Sequence, residues 1–236
     1  MRLFLVLAML LLASCAPSAE SIARNAIAAH QSLESYDLAF IMQGRTSTVV
    51  EGQNVTIVSV IEMQGTFDRG DMHLISSMRS EAGPLYTERS AETYIIGDTM
   101  YLKNEGVWYT SRAEEPLDQS ADLAALLKGS EVQRLADEDG FHVLRVIPSE
   151  SALEQYAQLD RSALLEDGQL TSMRVTYWVD AKTFLITRAQ TTATFQLQDS
   201  EFLFESEARI TPTAGQIELP DEALDAVDLS PPLPEV

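Results

Sequence analysis

The chain is predicted to be an α+β protein built on a strongly curved antiparallel sheet, an unclosed half-barrel wrapped around two or three helices. From Tyr36 onward most of the sequence alternates apolar and polar residues with a period of two. Successive runs are joined by short turns, which makes neighbouring strands antiparallel. A few stretches return to helical spacing, and a sheet with one apolar face needs such helices as its cover.

The first segment reads as an address. Leu3 to Leu12 are ten consecutive apolar residues behind Arg2, too few to span a bilayer but suited to a secretory signal. Leu12, Ala13, Ser14 and Cys15 follow, and Cys15 is the one cysteine of the chain. This tetrapeptide resembles a bacterial lipobox, which implies cleavage of residues 1–14 and a diacylglycerol on the Cys15 sulfur. An ordinary secretory signal containing a cysteine, or an uncleaved anchor, is the alternative. On the lipobox reading residues 15–19 are a lipidated tether, residues 20–227 a single domain, and residues 228–236, with Pro231, Pro232 and Pro234, a disordered tail.

Ile22, Ala26, Ile27, Ala29 and Leu33 recur at helical spacing and predict an amphipathic helix from Glu20 to Leu33, capped by Ser18 or Ser21. Leu38, Phe40 and Met42 begin the first strand, and Ile57, Ile61, Met63 and Phe67 share one face of the second, across a turn at residues 51–54. Asp68 to Asp71 turn into a third strand holding Met72, Leu74 and Met78, which Gly83 and Pro84 break. A fourth strand covers Glu88 to Ile96. Beyond the Gly97 and Asp98 turn, Thr99–Lys103 and Val107–Thr110 read as one interrupted fifth strand.

Leu123, Leu126 and Leu127 predict a short helix over Ser120–Lys128 with Gly129 as its C-cap. Phe141–Ile147 returns to strand, and a second long helix is expected from about Glu150 to Glu166. Three strands close the chain: Met173–Val179, Thr183–Gln196, and Glu201–Thr211, in which Phe202, Phe204, Ala208 and Ile210 oppose Glu201, Glu205, Glu207 and Arg209. Ile217 and Leu219 are expected to add a short edge before a helical turn opened by Pro220.

The formal charge of −20 over 236 residues disfavours nucleic acid and anionic membrane surfaces as partners, since no basic stripe meets phosphates. With Cys15 committed to lipid, no thiol remains for a disulfide, a thiolate metal site or a nucleophile. His30, His73 and His142 have no partners at metal spacing, and no Gly-x-Ser-x-Gly elbow occurs. The acidic runs Glu114, Glu115 and Asp137, Glu138, Asp139 lack the spaced oxygens of a calcium loop. The expectation is a protein without catalytic residues, metal or cofactor. Trp108 with Tyr109, and Trp178 with Tyr177, place one ring on each face of a strand; core packing is the favoured role, a lipid- or partner-facing rim the other.

Several short segments together resemble the LolA/LolB-like bacterial lipoproteins, nearest the LppX/LprG group of lipid carriers. They are the lipobox; Leu33, Glu34, Ser35, Tyr36, Asp37; Glu92 to Asp98 with Tyr101, Leu102, Lys103, Trp108 and Tyr109; Trp178, Val179, Asp180 with Thr183; and Ile217 to Ala223. The resemblance implies an eleven-stranded unclosed barrel with helices in its mouth and an apolar cavity for acyl chains. It transfers no named ligand residues. Periodicity alone nominates Phe40, Met42, Ile61, Met63, Met78, Phe202 and Phe204 as large apolar side chains on the inner face, with plain core packing as the competing role. Methionine suits a surface that must fit varied chains. The functional expectation is a membrane-anchored lipoprotein that binds lipid or fatty acid for transport or presentation at the cell envelope, on the outer face of the plasma membrane or on the outer membrane. A non-enzymatic protein-interaction or envelope-sensing lipoprotein on the same fold is the alternative, with an envelope protein as its partner.

Overall fold

The computed structural model describes residues 17–50, 53–113, 127, 130–153, 168–197 and 200–229. The leader, Cys15, most of the predicted 120–128 helix, and the predicted 150–166 helix beyond its first turn lie outside these residues, as does the tail beyond residue 229. Helix α1 spans Ala19–Gln31. The strands are β1 Ser35–Val50, β2 Gln53–Asp68, β3 Asp71–Ala82, β4 Leu85–Ile96, β5 Thr99–Asn104, β6 Val107–Arg112, β7 Glu131–Arg134, β8 Phe141–Ile147, β9 Gly168–Asp180, β10 Ile186–Leu197, β11 Ser200–Pro212 and β12 Val227–Asp228.

All twelve belong to one curved, unclosed sheet in the order β12-β6-β5-β4-β3-β2-β1-β11-β10-β9-β8-β7. Every neighbouring pair is antiparallel except β12 with β6, which is parallel. The sheet-dominant half-barrel agrees with the sequence. Among the described residues α1 is the one complete α-helix, with helical residues at Leu127 and 150–153, inside the two other predicted helices.

α1 forms where its caps and apolar stripe agree. The Ser18 hydroxyl accepts from the Ser21 N–H at 3.2 Å, and Glu20 sits in the first turn against the positive end of the helix. Ile22, Ala23 and Ala26 are buried against Leu144, Val146, Val175, Tyr177, Val179 and Ile186 of β8, β9 and β10. Each large aliphatic side chain buried there contributes about 1.5–3 kcal/mol. The sheet face that carries α1 is called inner below, and the opposite face outer.

A second cluster covers the outer face at the other end of the sheet. Tyr94 of β4 and Trp108 of β6 bury Ala223 between them and the C-terminal segment, with Ile217, Leu219 and Ala226 alongside. Trp108 is therefore a core residue, whereas Trp178 stays partly exposed on the outer face, where its Nε1–H donates to Glu138 at 3.0 Å and Arg188 lies 4.5 Å from its ring centroid.

Several expected elements differ. Thr99–Lys103 and Val107–Thr110 are two strands of a hairpin, because Glu105 and Gly106 both take positive φ, 50° and 82°, and reverse the chain tightly. Ile217 and Leu219 form no edge strand; their side chains are taken by the Trp108 cluster, and Val227–Asp228 pairs with β6 instead, after a 3-10 turn at Asp221–Asp225. β7 was not expected at all. Four residues carry too short a pattern to show a period, and pairing with β8 makes them a strand.

Candidate functional site

Side chains alternate across a strand, and directly paired residues of neighbouring strands share a face. Tracing the register from the α1-covered residues Val175 and Tyr177 through β10 and β11 to β1 places Phe202 and Phe204 on the inner face, then Phe40 and Met42. Met42 pairs with Ile61, Phe40 with Met63, and Ile61 with Met78. All seven nominated residues thus lie on one face, over the adjacent strands β11, β1, β2 and β3.

They belong to neither buried cluster. Six are half-buried and Met78 is 46% exposed. Phe204 makes an edge contact with Phe195, centroids 5.1 Å apart, and stacks on Phe202 at 6.4 Å. Beneath Phe204 the strand carries Gly44, the one residue whose missing side chain lets the ring lie on the backbone. Toward the opposite end of the same face Tyr36 stacks on Phe67 at 4.7 Å. Burial pushes the Tyr36 hydroxyl up to about 12.

Two features were invisible before the register was known. Met42, Met63, Met72, Met78, Met100 and Met173 all fall on the inner face. Every Asp and Glu of β1–β11 falls on the outer face. The outer face is a wet, paired surface: Arg79 bonds Glu62, His73 meets Glu92 at 3.2 Å, and Glu207 accepts from Arg188 at 2.8 Å, Arg209 at 2.8 Å and Gln190 at 3.0 Å. Those donors, Gln190 and Arg209 foremost, hold the Glu207 carboxyl at about 2.

The histidines do not converge. His30 is on α1, His73 on the outer face of β3, and His142 on β8 bonds Asp137, which Arg134 also holds. Among the described residues no group of His, Cys, Asp and Glu could hold a metal ion, and no helix is long and apolar enough to cross a membrane. A polar cleft of about 550 Å³ lies where β1 begins, between Leu33, Arg69 and Gln216. Another, of about 350 Å³, lies beside Glu207. Neither is lined by the seven apolar residues.

No family model matches the chain, and no curated protein matches it. Solved structures are similar to it at low identity. LprF from Mycobacterium bovis is 12% identical with a TM-score of 0.47, over 87% of this chain and 97% of that one. The LolA superfamily protein NE2245 from Nitrosomonas europaea is 15% identical with a TM-score of 0.25, over 88% and 97%. A DUF1329 family protein from Desulfovibrio piger is 10% identical with a TM-score of 0.27, over 86% and 96%.

Proposed function

We propose that the protein is a membrane-anchored lipoprotein that holds acyl chains against the inner face of its sheet and carries or presents them at the cell envelope. The carrying observation is the segregation of that face: Phe40, Met42, Ile61, Met63, Met78, Phe202 and Phe204 lie together on it, none fully buried, and no strand carboxylate shares it. Apolar surface on this scale that neither core cluster uses is what a lipid chain can cover, at about 25 cal/mol per Å² removed from water. Thioethers conform to chains of different length and branching. No bond is made or broken on this reading, because burial alone drives binding.

Cys15 is the anchor in this reading, with residues 1–14 removed and residues 20–227 acting as one domain. Two or more acyl chains on a tether hold a protein stably at a membrane, where one does so only marginally. Native mass spectrometry and organic extraction of the Cys15→Ser protein purified without detergent test the site, with co-purified acyl lipid expected. Absence of lipid, together with no uptake of a fluorescent fatty acid, removes the carrier function. Intact mass of the membrane-extracted protein tests the anchor, with a diacylglycerol on Cys15 as its N-terminal residue expected.

A further inference from the structure

The inner face carries no strand carboxylate, and among the described strand residues the basic side chains on it are Arg89 of β4, Arg134 of β7 and His142 of β8. Two of these are occupied. Arg134 donates to Asp137 at 2.7 Å and to the Pro17 carbonyl at 2.7 Å, and His142 meets Asp137 at 3.1 Å. Arg89 forms no ion pair or hydrogen bond with any described residue, and it is exposed, as are all of residues 85–90.

Its position relative to the apolar residues is fixed by the register. Arg89 pairs with Met78, Met78 with Ile61, and Ile61 with Met42, so the four form one row across β4, β3, β2 and β1. At about 4.8 Å between strands the row runs for roughly 14 Å from the cation to Met42. The arginine therefore stands in water at the margin of a strip of apolar side chains, its methylene stem beside Met78. We propose that Arg89 recognises the acidic headgroup, carboxylate or phosphate, of the acyl lipid whose chain lies along Met78, Ile61 and Met42. The inference rests on the lipid-binding reading and adds selectivity to it. The protein as a whole is strongly acidic, with a formal charge of −20, and repels such headgroups elsewhere. A guanidinium presents the planar fork that matches either oxyanion bidentately.

The test is fluorescence titration of the full chain carrying Cys15→Ser with dansylaminoundecanoic acid and with its methyl ester. The acid is expected to bind about three- to tenfold more tightly than the ester. Arg89→Gln is expected to remove that preference by weakening the acid alone, Arg89→Lys, which keeps the charge but not the fork, to keep only part of it, and Arg45→Gln, on the outer face of β1, to leave both probes unchanged. Displacement of the ester by dodecanoic acid and by dodecyl phosphate ranks the two headgroups; either order supports the assignment. Equal binding of acid and ester, or equal weakening of both by Arg89→Gln, overturns the role of Arg89 while leaving lipid binding standing. Binding of neither probe removes the lipid-binding reading and this one with it.

Discussion

The ring of Phe204 lies directly on the backbone of Gly44, so close that a β-carbon on Gly44 would stand 2.9 Å from its Cε1. The obstacle is a half-buried side chain that can swing aside. Gly65, on the same face of β2, faces a different obstacle: a β-carbon there would collide with the backbone carbonyl of His73, which is held in the β2–β3 ladder.

This contrast predicts two outcomes from one kind of substitution. Gly65→Ala forces the ladder apart and is expected to cost about 1–3 kcal/mol, lowering Tm by about 2–12 °C. Gly44→Ala is expected to stay within about 1 kcal/mol of wild type, because the ring yields and the added methyl restricts the unfolded chain. Thermal melts of the two variants side by side check the difference.

Neighbouring residues of β1 point to opposite faces, which supplies an internal control for the binding face. Met42→Gln places an amide in the apolar row and is expected to weaken binding of a fluorescent fatty acid about tenfold, the scale of an imperfectly paired polar group on a desolvated surface. Ile41→Gln, one residue away on the outer face and 46% exposed in the wild type, is expected to leave binding unchanged. Equal effects from the two variants would argue against the inner face as the site.

Glu207 predicts an acid limb of stability. Its donors hold the folded-state pKa at about 2, below the ordinary value of 4.5. The stabilisation is therefore fully present above about pH 4.5 and is lost as pH falls toward 2. Glu207→Gln removes this dependence, so Tm of wild type should fall more steeply than that of the variant between those limits, as followed by circular dichroism against pH.

The Trp108 cluster predicts a spectroscopic signature. Ala223 is fully buried beside Tyr94 and Trp108, and Ala223→Glu would bury an unpaired carboxylate. The C-terminal segment is expected to detach, at a cost of several kcal/mol, with a red shift of tryptophan emission from Trp108. Repeating the measurement in Trp178→Phe isolates that ring. An unshifted spectrum would show that the segment does not seal the cluster.

Much of the architecture was legible in local pattern. The helix cap, which falls to Ser18, the burial of Ile22 and Ala26 and the alternation from Phe202 to Ile210 each depend on residues within a turn or a few positions of one another, and each appears as expected, with Ala23 joining the buried stripe. Errors fell where pattern was short or shared. Residues 99–110 read as one strand with an interruption at 104–106, and the positive φ of Glu105 and Gly106 makes that interruption a reversal. Ile217 and Leu219 look like a strand edge, but the Tyr94 and Trp108 rings offer their side chains more burial than an open edge does.

The sequence by itself determined which residues of each strand share a side, because alternation is a local property of the pleat, and it nominated Phe40, Met42, Ile61, Met63, Met78, Phe202 and Phe204 on that ground. Only the tertiary structure decided that these sides form a single face, that every strand carboxylate lies on the other one, and that Arg89 stands beside Met78 with no ion-pair partner among the described residues. Register couples residues far apart in the chain, Met42 with Ser206 and Met78 with Arg89. A shift of one residue in any ladder would exchange the two faces.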